Sequence, residues 1–195
     1  MAYATLDQVE RHLGWSNPAA ADQMLLATKI AAAQDIITRR AGGRLFEALA
    51  DSTRYFDSVR DVVGRVLYLD TDLCAITSIT NGDGTVITSG QYITEPRNTT
   101  PYYAIRLLGS ANITWEPQAD GDTENAITIV GLWAFSQYAP ADITEACIEI
   151  ASYLYRSKDD TGDLSRPVIA GNATFLPGSL SAMVDRILAP YKRAF

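Results

Sequence analysis

The sequence has 195 residues, of which 47% are hydrophobic and 20% charged, and its formal net charge is -7 at pH 7. This length and composition predict one packed domain, or one domain with an insertion, and exclude intrinsic disorder. The acidic balance leaves no general excess of Lys and Arg for a phosphate backbone, which argues against tight DNA binding.

Two helices are predicted in the N-terminal part of the chain. Thr5 and Gln8 have the spacing of a capping box, which predicts a short helix that Gly14 ends. Pro18 follows where the first turn of a helix tolerates proline. Apolar residues then recur at helical spacing over residues 19–41, up to a Gly-Gly pair, and predict a long amphipathic helix.

The middle of the chain has the pattern of strands. Between residues 53 and 135 apolar and polar residues alternate, and β-branched and aromatic residues dominate. The sequence NGDG at 81–84 lies between two such runs, and it predicts a tight hairpin turn with glycines at positive φ. Strands are predicted at residues 65–69, 75–79, 91–94, 102–107, 113–115 and 126–130.

Helical spacing returns near residue 140. Asp142 is predicted to be an N-cap, with Glu145 three residues later, and the helix should run to about Lys158. We expect its apolar stripe to pack on the long N-terminal helix. The stripe consists of Ile143, Ala146, Cys147, Ile150, Ala151 and Leu154.

The remaining residues predict a loop and a final helix. Glycine, proline and aspartate are frequent over residues 159–177, which indicates a loop. The final helix should end near Pro190. Its apolar side is formed by Leu180, Met183, Val184, Ile187 and Leu188.

These elements predict an α+β protein with a helical bundle core and an inserted small antiparallel β-sheet. Residues 1–50 and 140–195 are expected to form the helical body, and residues 53–135 the inserted β region. Helices from both ends of the chain can then share one core, so that residues 1–195 make a single domain.

No common catalytic motif is present in the sequence. His12 is the only histidine, and a single histidine in a short helix is more often a surface or packing residue than a general base. The chain lacks Gly-x-Ser-x-Gly, a phosphate-binding glycine-rich loop and His-Glu-x-x-His. We therefore predict a protein that is not an enzyme and needs no cofactor.

Metal binding is not predicted either. Cys74 and Cys147 lie in apolar segments with no second cysteine or histidine at ligand spacing, which indicates buried, reduced thiols. The acidic loops at 81–84 and 120–124 could place carboxylates around a calcium ion. Neither has the bidentate glutamate that a calcium loop carries at its twelfth position. Turns between strands use the same residues, so we favour turns.

The first residues lack the basic stretch and apolar run of a secretory signal. No window approaches the 18 or so uncharged apolar residues that a membrane span needs. We therefore expect the chain to stay in the compartment where it is made and to have no membrane partner.

Two surface features have alternative explanations. Arg39, Arg40 and Arg44 stand at the end of the long helix, where cations oppose the negative end of the helix dipole, and this role is favoured over a phosphate site. Aromatic residues concentrate in the β region, where some are available to a partner. An aromatic sheet also leaves open a small carbohydrate- or ligand-binding module or enzyme.

Several segments follow one another in a distinctive order along most of the chain. They are GRLF at 43–46, TRYFD at 53–57, ITNGDGT at 79–85, YITEP at 92–96, PYYAIR at 101–106, GLWAFS at 131–136 and ASYLYR at 151–156. In their order and spacing these segments resemble the head-to-tail connector (adaptor) proteins of tailed bacteriophages.

The resemblance implies a structural virion protein of the neck, at the head-tail junction, which is made in the host bacterial cytoplasm. Its partners would be the portal protein, neighbouring copies of itself in a dodecameric ring, and a stopper or tail-completion protein. Double-stranded DNA would pass transiently and non-specifically through its channel after genome packaging. Another neck or tail-completion protein of a phage is the alternative within the same class.

Two candidate surfaces follow. Asp120, Asp122 and Glu124 form the densest acidic loop, and an acidic channel wall would repel phosphate. Connectors commonly reach the portal through their C-terminal segment, so the resemblance implies docking by residues 179–195, with residues 159–177 as a link. The candidate docking residues are Met183, Ile187, Tyr191, Lys192, Arg193 and Phe195.

Overall fold

The computed structural model describes residues 3–157, 169–170, 173–174 and 176–192. The chain divides into two compact units, a helical unit (Met1–Arg44 and Ala139–Phe195) and a β unit (Leu45–Tyr138). The protein is therefore of mixed α and β structure, as the sequence predicts.

The helices are α1 (Leu6–Leu13), α2 (Ala20–Arg40), α3 (Ala141–Arg156) and α4 (Gly178–Leu188). The strands are β1 (Ser52–Phe56), β2 (Val62–Val63), β3 (Val66–Leu73), β4 (Ala75–Thr80), β5 (Tyr92–Glu95), β6 (Tyr102–Leu107), β7 (Ile127–Leu132), β8 (Ile169–Ala170) and β9 (Ala173–Thr174). Short 3-10 turns occur at Gly109–Ala111 and Ala189–Tyr191. No helix of the described part of the chain is long and apolar enough to cross a membrane.

The predicted capping box is present at the start of α1. The Gln8 backbone N–H donates to the Thr5 hydroxyl at 3.2 Å, and the Gln8 side chain accepts from the Thr5 backbone N–H at 2.7 Å. Two donors that the first turn leaves without helical partners are satisfied in this way. Gly14 ends the helix in the left-handed conformation, which confirms both predicted ends.

The packing of α3 on α2 is also confirmed, and it forms most of the core of the helical unit. Burying a leucine or isoleucine side chain stabilises the folded state by roughly 1.5 to 3 kcal/mol relative to exposure. The buried side chains of the two helices include Leu26, Ile30, Ala33, Ile37, Ile143, Ala146, Cys147 and Ile150.

The predicted ends of α3 need correction. Pro140, with φ -56° and ψ 148°, is the last extended residue, so α3 begins at Ala141 and Asp142 is not the N-cap. Proline favours this backbone conformation by its ring, without any side-chain oxygen. The helix ends at Arg156, and the predicted end at Lys158 lies outside the described residues.

The strands of the β unit form two antiparallel sheets, where the sequence predicted one. Their strand orders are β1-β7-β4 and β2-β3-β6-β5. The division falls at Cys74, because β3 ends just before it in one sheet and β4 begins just after it in the other. One core unites both sheets, with Phe56, Leu67, Leu69, Leu73, Ile79, Ile87, Ile105, Leu107, Trp115, Ile127, Ile129 and Trp133.

The strand predicted at residues 113–115 is wrong, because side chains satisfy this backbone. The carbonyl of Ile113 accepts from the Arg65 guanidinium at 2.8 Å, and the carbonyl of Thr114 accepts from the Asn81 amide at 2.9 Å. The Glu116 N–H donates to the Asn81 side-chain oxygen at 3.0 Å. A segment whose polar groups are paired in this way needs no neighbouring strand.

The hairpin turn at 81–84 is present but does not stand free. The Asn81 N–H donates to Thr85 O at 2.8 Å, and the Gly84 N–H donates to Asn81 O at 2.9 Å. Gly84 has φ +83°, as predicted, whereas Gly82 does not adopt positive φ. A Cβ on Gly82 would lie 2.2 Å from the carbonyl oxygen of Glu116, so this glycine is required by close backbone approach.

Within residues 159–177 the structure describes the two-residue strands β8 and β9, which pair antiparallel. The other residues between 159 and 175 lie outside the described residues.

Candidate functional site

The candidate docking segment begins with α4 in the helical unit. Pro177 is its N-cap and no side chain caps the helix. Val184 and Leu188, one helical turn apart, are fully buried, and α4 contacts both α2 and α3. Met183 and Ile187 form the adjacent row and are half-buried. The helix therefore has one row of side chains in the core and a neighbouring apolar row that reaches the surface.

Arginines of the α2 end hold this segment. Arg40 Nη1 donates to the carbonyl of Ser181 at 3.3 Å and lies 3.2 Å from a carboxylate oxygen of Asp185. Arg44 Nη1 donates to the carbonyl of Tyr191. The sequence predicts that the arginine cluster opposes the dipole of its own helix, but Arg40 and Arg44 also contact residues about 140 positions later in the chain.

Tyr191 is fixed at its side chain as well. Its hydroxyl lies 2.8 and 2.9 Å from the two carboxylate oxygens of Asp142, to which it donates. Burial raises the pKa of Tyr191 to about 12, and the hydrogen bond to Asp142 and the charge of that carboxylate act in the same direction. The segment is thus bound to the helical unit as far as this residue.

The C-terminal candidates are only partly described. Lys192 is exposed, with its backbone N–H donating to Ala189 O at 3.5 Å. Arg193 and Phe195 lie outside the described residues. The structure therefore places four of the six predicted docking residues on the α4 segment.

The acidic loop belongs to the β unit and carries the three predicted carboxylates. Asp120, Asp122 and Glu124 are all exposed. Asp120 accepts from the Asp122 N–H and Asp122 accepts from the Glu124 N–H, each at 3.1 Å, so the carboxylates themselves shape the turns. The Asn125 N–H donates to Asp57 at 2.9 Å and ties the end of the loop to another acidic segment.

One cation lies beside this acidic loop. The pKa of Arg60 is raised by its hydrogen bond to Asp61 and by the negative charges of Asp61, Asp57 and Glu124. The Arg60 side chain is 76% exposed, so water and salt screen these interactions strongly.

Each unit has a concave region on its surface. One, of about 540 Å³, lies beside α1 and α2 and includes Trp15, Asp22 and Tyr155, where the Tyr155 hydroxyl donates to Asp22 at 2.6 Å. The other, of about 210 Å³, lies beside the 81–84 turn and includes Asp83 and Glu116. Neither carries a nucleophile paired with a base, which a catalytic site of the common kinds would need.

The thiols and the histidine occupy the following places. Cys147 is fully buried, and burial raises the pKa of its thiol to about 12. Cys74 is half-buried, and both cysteines are free. His12 lies in the last turn of α1, with its Nε2 3.8 Å from a carboxylate oxygen of Glu149.

The fold is similar to chains of gene transfer agent (GTA) particles. One is from a structure described as "Neck of empty GTA particle computed with C6 symmetry", with TM-score 0.55, 15% identity, and coverage of 99% of this chain and 91% of that chain. A second is from "Neck of native GTA particle computed with C12 symmetry", with TM-score 0.54, 16% identity, and coverage of 97% and 88%. A third is from "Virion of native gene transfer agent (GTA) particle", with TM-score 0.55, 18% identity, and coverage of 99% and 91%.

No family model and no curated protein matches the sequence. The likeness is one of fold, and it extends over nearly the full length of both chains. It agrees with the resemblance to head-to-tail connector proteins that the sequence segments indicate.

Proposed function

We propose that the chain is a structural, non-enzymatic subunit of a virion neck, a head-to-tail connector that docks as a ring on the portal protein and extends the DNA channel. The observation that carries this proposal is the likeness of fold over 97 to 99% of the chain to chains of neck and virion structures. A likeness of that extent supports one shared building block, with the helical body and the inserted β region acting as one subunit.

The ring is proposed to be a dodecamer. The two neck structures were computed with C6 and with C12 symmetry, and every 12-fold ring also has 6-fold symmetry, so a dodecamer is compatible with both. A closed ring needs a heterologous interface, in which one face of a subunit meets a different face of its neighbour. The stopper or tail-completion protein would then bind the ring on the side away from the portal.

Part of the ring interface is proposed to lie on the β unit, around β2 and the start of β3. Val59, Val63 and Tyr68 are exposed here by 69, 67 and 49%. The Tyr68 N–H donates to the carbonyl oxygen of Asp61 at 2.9 Å, so the backbone of Tyr68 lies beside the segment that joins Val59 to Val63. Several large apolar side chains exposed close together favour a protein partner over free solvent.

Portal docking is proposed for the apolar row of α4, with Met183 and Ile187, together with Tyr191, Lys192 and the two terminal candidates Arg193 and Phe195. Mixed aromatic, apolar and basic side chains are typical of protein interfaces. Because Val184 and Leu188 already hold α4 in the core, the row beside them can bind a partner without unfolding the helix.

The acidic loop is proposed to face the DNA channel. Asp120, Asp122 and Glu124 are exposed within five residues of one loop, and a fixed negative surface repels phosphate. Such a surface would let DNA pass without binding, in agreement with the net charge of -7.

The test is to produce the full chain alone and together with the portal protein of the same virus, and to measure mass by size-exclusion chromatography with light scattering. We expect a ring of twelve subunits bound to the portal. The variant Ile187→Glu should weaken the complex, whereas Met24→Glu, which changes an apolar residue exposed by 75% on α2, should not. A chain that has no affinity for the portal would contradict the proposal.

A further inference from the structure

Three potential metal ligands meet where α1 approaches α3. The imidazole of His12 and the carboxylates of Glu145 and Glu149 each offer one ligand atom, and these atoms all lie within 4.8 Å of one another. The His12 Nε2 is 3.8 Å from Glu149 Oε1. No other group of three such residues occurs in the described ranges, and neither acidic loop forms one.

The local structure explains why these residues converge. The capping box at Thr5 and the left-handed Gly14 fix the ends of α1, so that His12 lies in its last turn. Val9 is fully buried and anchors α1 in the helical unit, where it contacts α3. Glu145 and Glu149 are four residues apart on α3 and therefore share one face of that helix.

The charges at this position favour a cation. Two carboxylates four residues apart on a helix repel each other and destabilise it. Arg11, next to His12 in the sequence, is paired with Asp7. Within the described residues, His12 is the partner found for Glu149, and the Glu145 carboxylate has no hydrogen bond or ion pair.

We propose that His12, Glu145 and Glu149 bind one divalent transition-metal ion, with zinc as the natural candidate. One imidazole nitrogen with two carboxylate oxygens suits zinc, cobalt and nickel, whereas calcium and magnesium prefer oxygen ligands alone. Ligands at about 2.1 Å from a tetrahedral ion lie roughly 3.4 Å apart, which is close to the 3.8 Å between His12 and Glu149.

The remaining coordination position is open to water. His12 and Glu149 keep 30 and 39% of their side-chain surface exposed, so an ion can enter and the side chains can close around it. The ion would join the last turn of α1 to α3 and stabilise the helical unit by binding only to its folded form. This site is independent of the proposed neck function and lies on different residues from the docking segment.

The sharpest test uses His12 as the only histidine of the chain. The full-length protein, purified with chelator and with Cys74→Ser to remove the half-buried thiol, is labelled with 15N and titrated with zinc chloride. We expect the imidazole 15N resonances to shift in a saturable way and the melting temperature to rise. Magnesium chloride at the same concentrations should do neither.

Variants decide whether these three residues are the ligands. Removal of a group that only supports a metal ligand typically costs roughly 10- to 100-fold in metal affinity. His12→Ala, Glu145→Gln and Glu149→Gln each change a proposed ligand and should each weaken zinc binding in calorimetry by at least that factor. Glu124→Gln, which removes an exposed carboxylate of the acidic loop, serves as the control and should leave affinity unchanged. An unshifted imidazole in the Cys74→Ser protein, or equal affinity in His12→Ala, would overturn the proposal and leave only an ion pair.

Discussion

Tyr191 and Asp142 are 49 residues apart in the chain, and the hydroxyl of the first donates to the carboxylate of the second at 2.8 to 2.9 Å. The contact joins the turn after α4 to the first turn of α3. Because Arg44 binds the carbonyl of the same tyrosine, the turn is held at its side chain and at its backbone. The start of the candidate docking segment is therefore part of the folded helical unit.

Replacing Tyr191 by phenylalanine removes the hydroxyl and keeps the ring. We expect a loss of about 1 kcal/mol in the free energy of unfolding, since a hydrogen bond to a carboxylate is stronger than a neutral one but Asp142 is exposed. Urea denaturation measures this loss. Tyr138→Phe, at a tyrosine that is 68% exposed, is the control and should change the midpoint little.

Alkaline pH should remove the contribution of Tyr191. Its pKa is raised from 10.0 to about 12 in the folded protein, so the contribution is complete below pH 10 and is lost as pH rises from 10 to about 12. We expect the stability difference between wild type and Tyr191→Phe to be constant from pH 7 to 9 and to shrink by pH 11. Burial also raises the pKa of Cys147, but both variants share this effect. A difference that stays constant to pH 11 would contradict the assignment.

Local patterns in the sequence predicted the regular elements, and contacts between distant residues account for the errors. The Thr5 and Gln8 cap, the apolar spacing of α2 and the alternation in β6 act within a few residues, so they are visible in the chain itself. Residues 113–115 alternate like a strand, but Arg65 and Asn81 satisfy that backbone. Nothing local to 113–115 reveals those partners.

In the candidate site, too, local patterns could be predicted from the sequence and contacts between distant residues could not. The apolar row of α4 could be predicted from its spacing, whereas its contacts with Arg40 and Arg44 could not, because the partners lie at the other end of the chain. The sequence predicts Asp142 as the N-cap because its side chain suits that position. The proline before the helix took the N-cap position, and the carboxylate instead accepts from Tyr191.

The two glycines of the 81–84 turn should respond differently to alanine. Gly84→Ala places a Cβ in open space but at φ +83°, which costs about 1 to 2 kcal/mol. Gly82→Ala places a Cβ 2.2 Å and 2.4 Å from the carbonyl oxygens of Glu116 and Pro117, so backbone must move. We expect Gly82→Ala to cost about 3 kcal/mol, at the upper end for overpacking. Equal melting temperatures for the two variants would show that the turn does not pack on this backbone.

Neutralising the acidic loop should create affinity for DNA if the loop lines the channel. In the triple variant Asp120→Asn, Asp122→Asn and Glu124→Gln, the side-chain oxygens that accept from the turn N–H groups remain, so the loop should keep its shape. We expect assembled rings of the variant to retain duplex DNA in gel-shift experiments at about 50 mM salt, whereas wild-type rings do not.

The charge-matched control for this loop changes three acidic residues elsewhere, Asp35→Asn, Asp51→Asn and Glu10→Gln. It raises the net charge by the same amount, so an effect of total charge would appear in both variants. If only the control variant retained DNA, or if neither variant did, the acidic loop would not line the channel.

The C-terminal residues should be needed for attachment to the portal. Deleting residues 191–195 removes the Tyr191 contacts with Asp142 and Arg44 together with the terminal candidates, while Val184 and Leu188 continue to hold α4 in the core. We therefore expect the deleted protein to fold with a small loss of stability and to fail to attach to portal-containing, DNA-filled heads. Deleting residues 193–195 leaves the Tyr191 contacts in place and should weaken attachment less.

Tyr191→Phe separates docking from stability in this experiment, because it loses the hydrogen bond to Asp142 but keeps the aromatic ring. If Tyr191 leaves Asp142 on docking, wild type loses a hydrogen bond of about 1 kcal/mol per subunit, whereas Tyr191→Phe has no such bond to break. Tyr191→Phe should then attach at least as well as wild type, although it is less stable. Co-sedimentation with heads measures attachment, and undiminished binding of the 191–195 deletion would show that these residues are not the anchor.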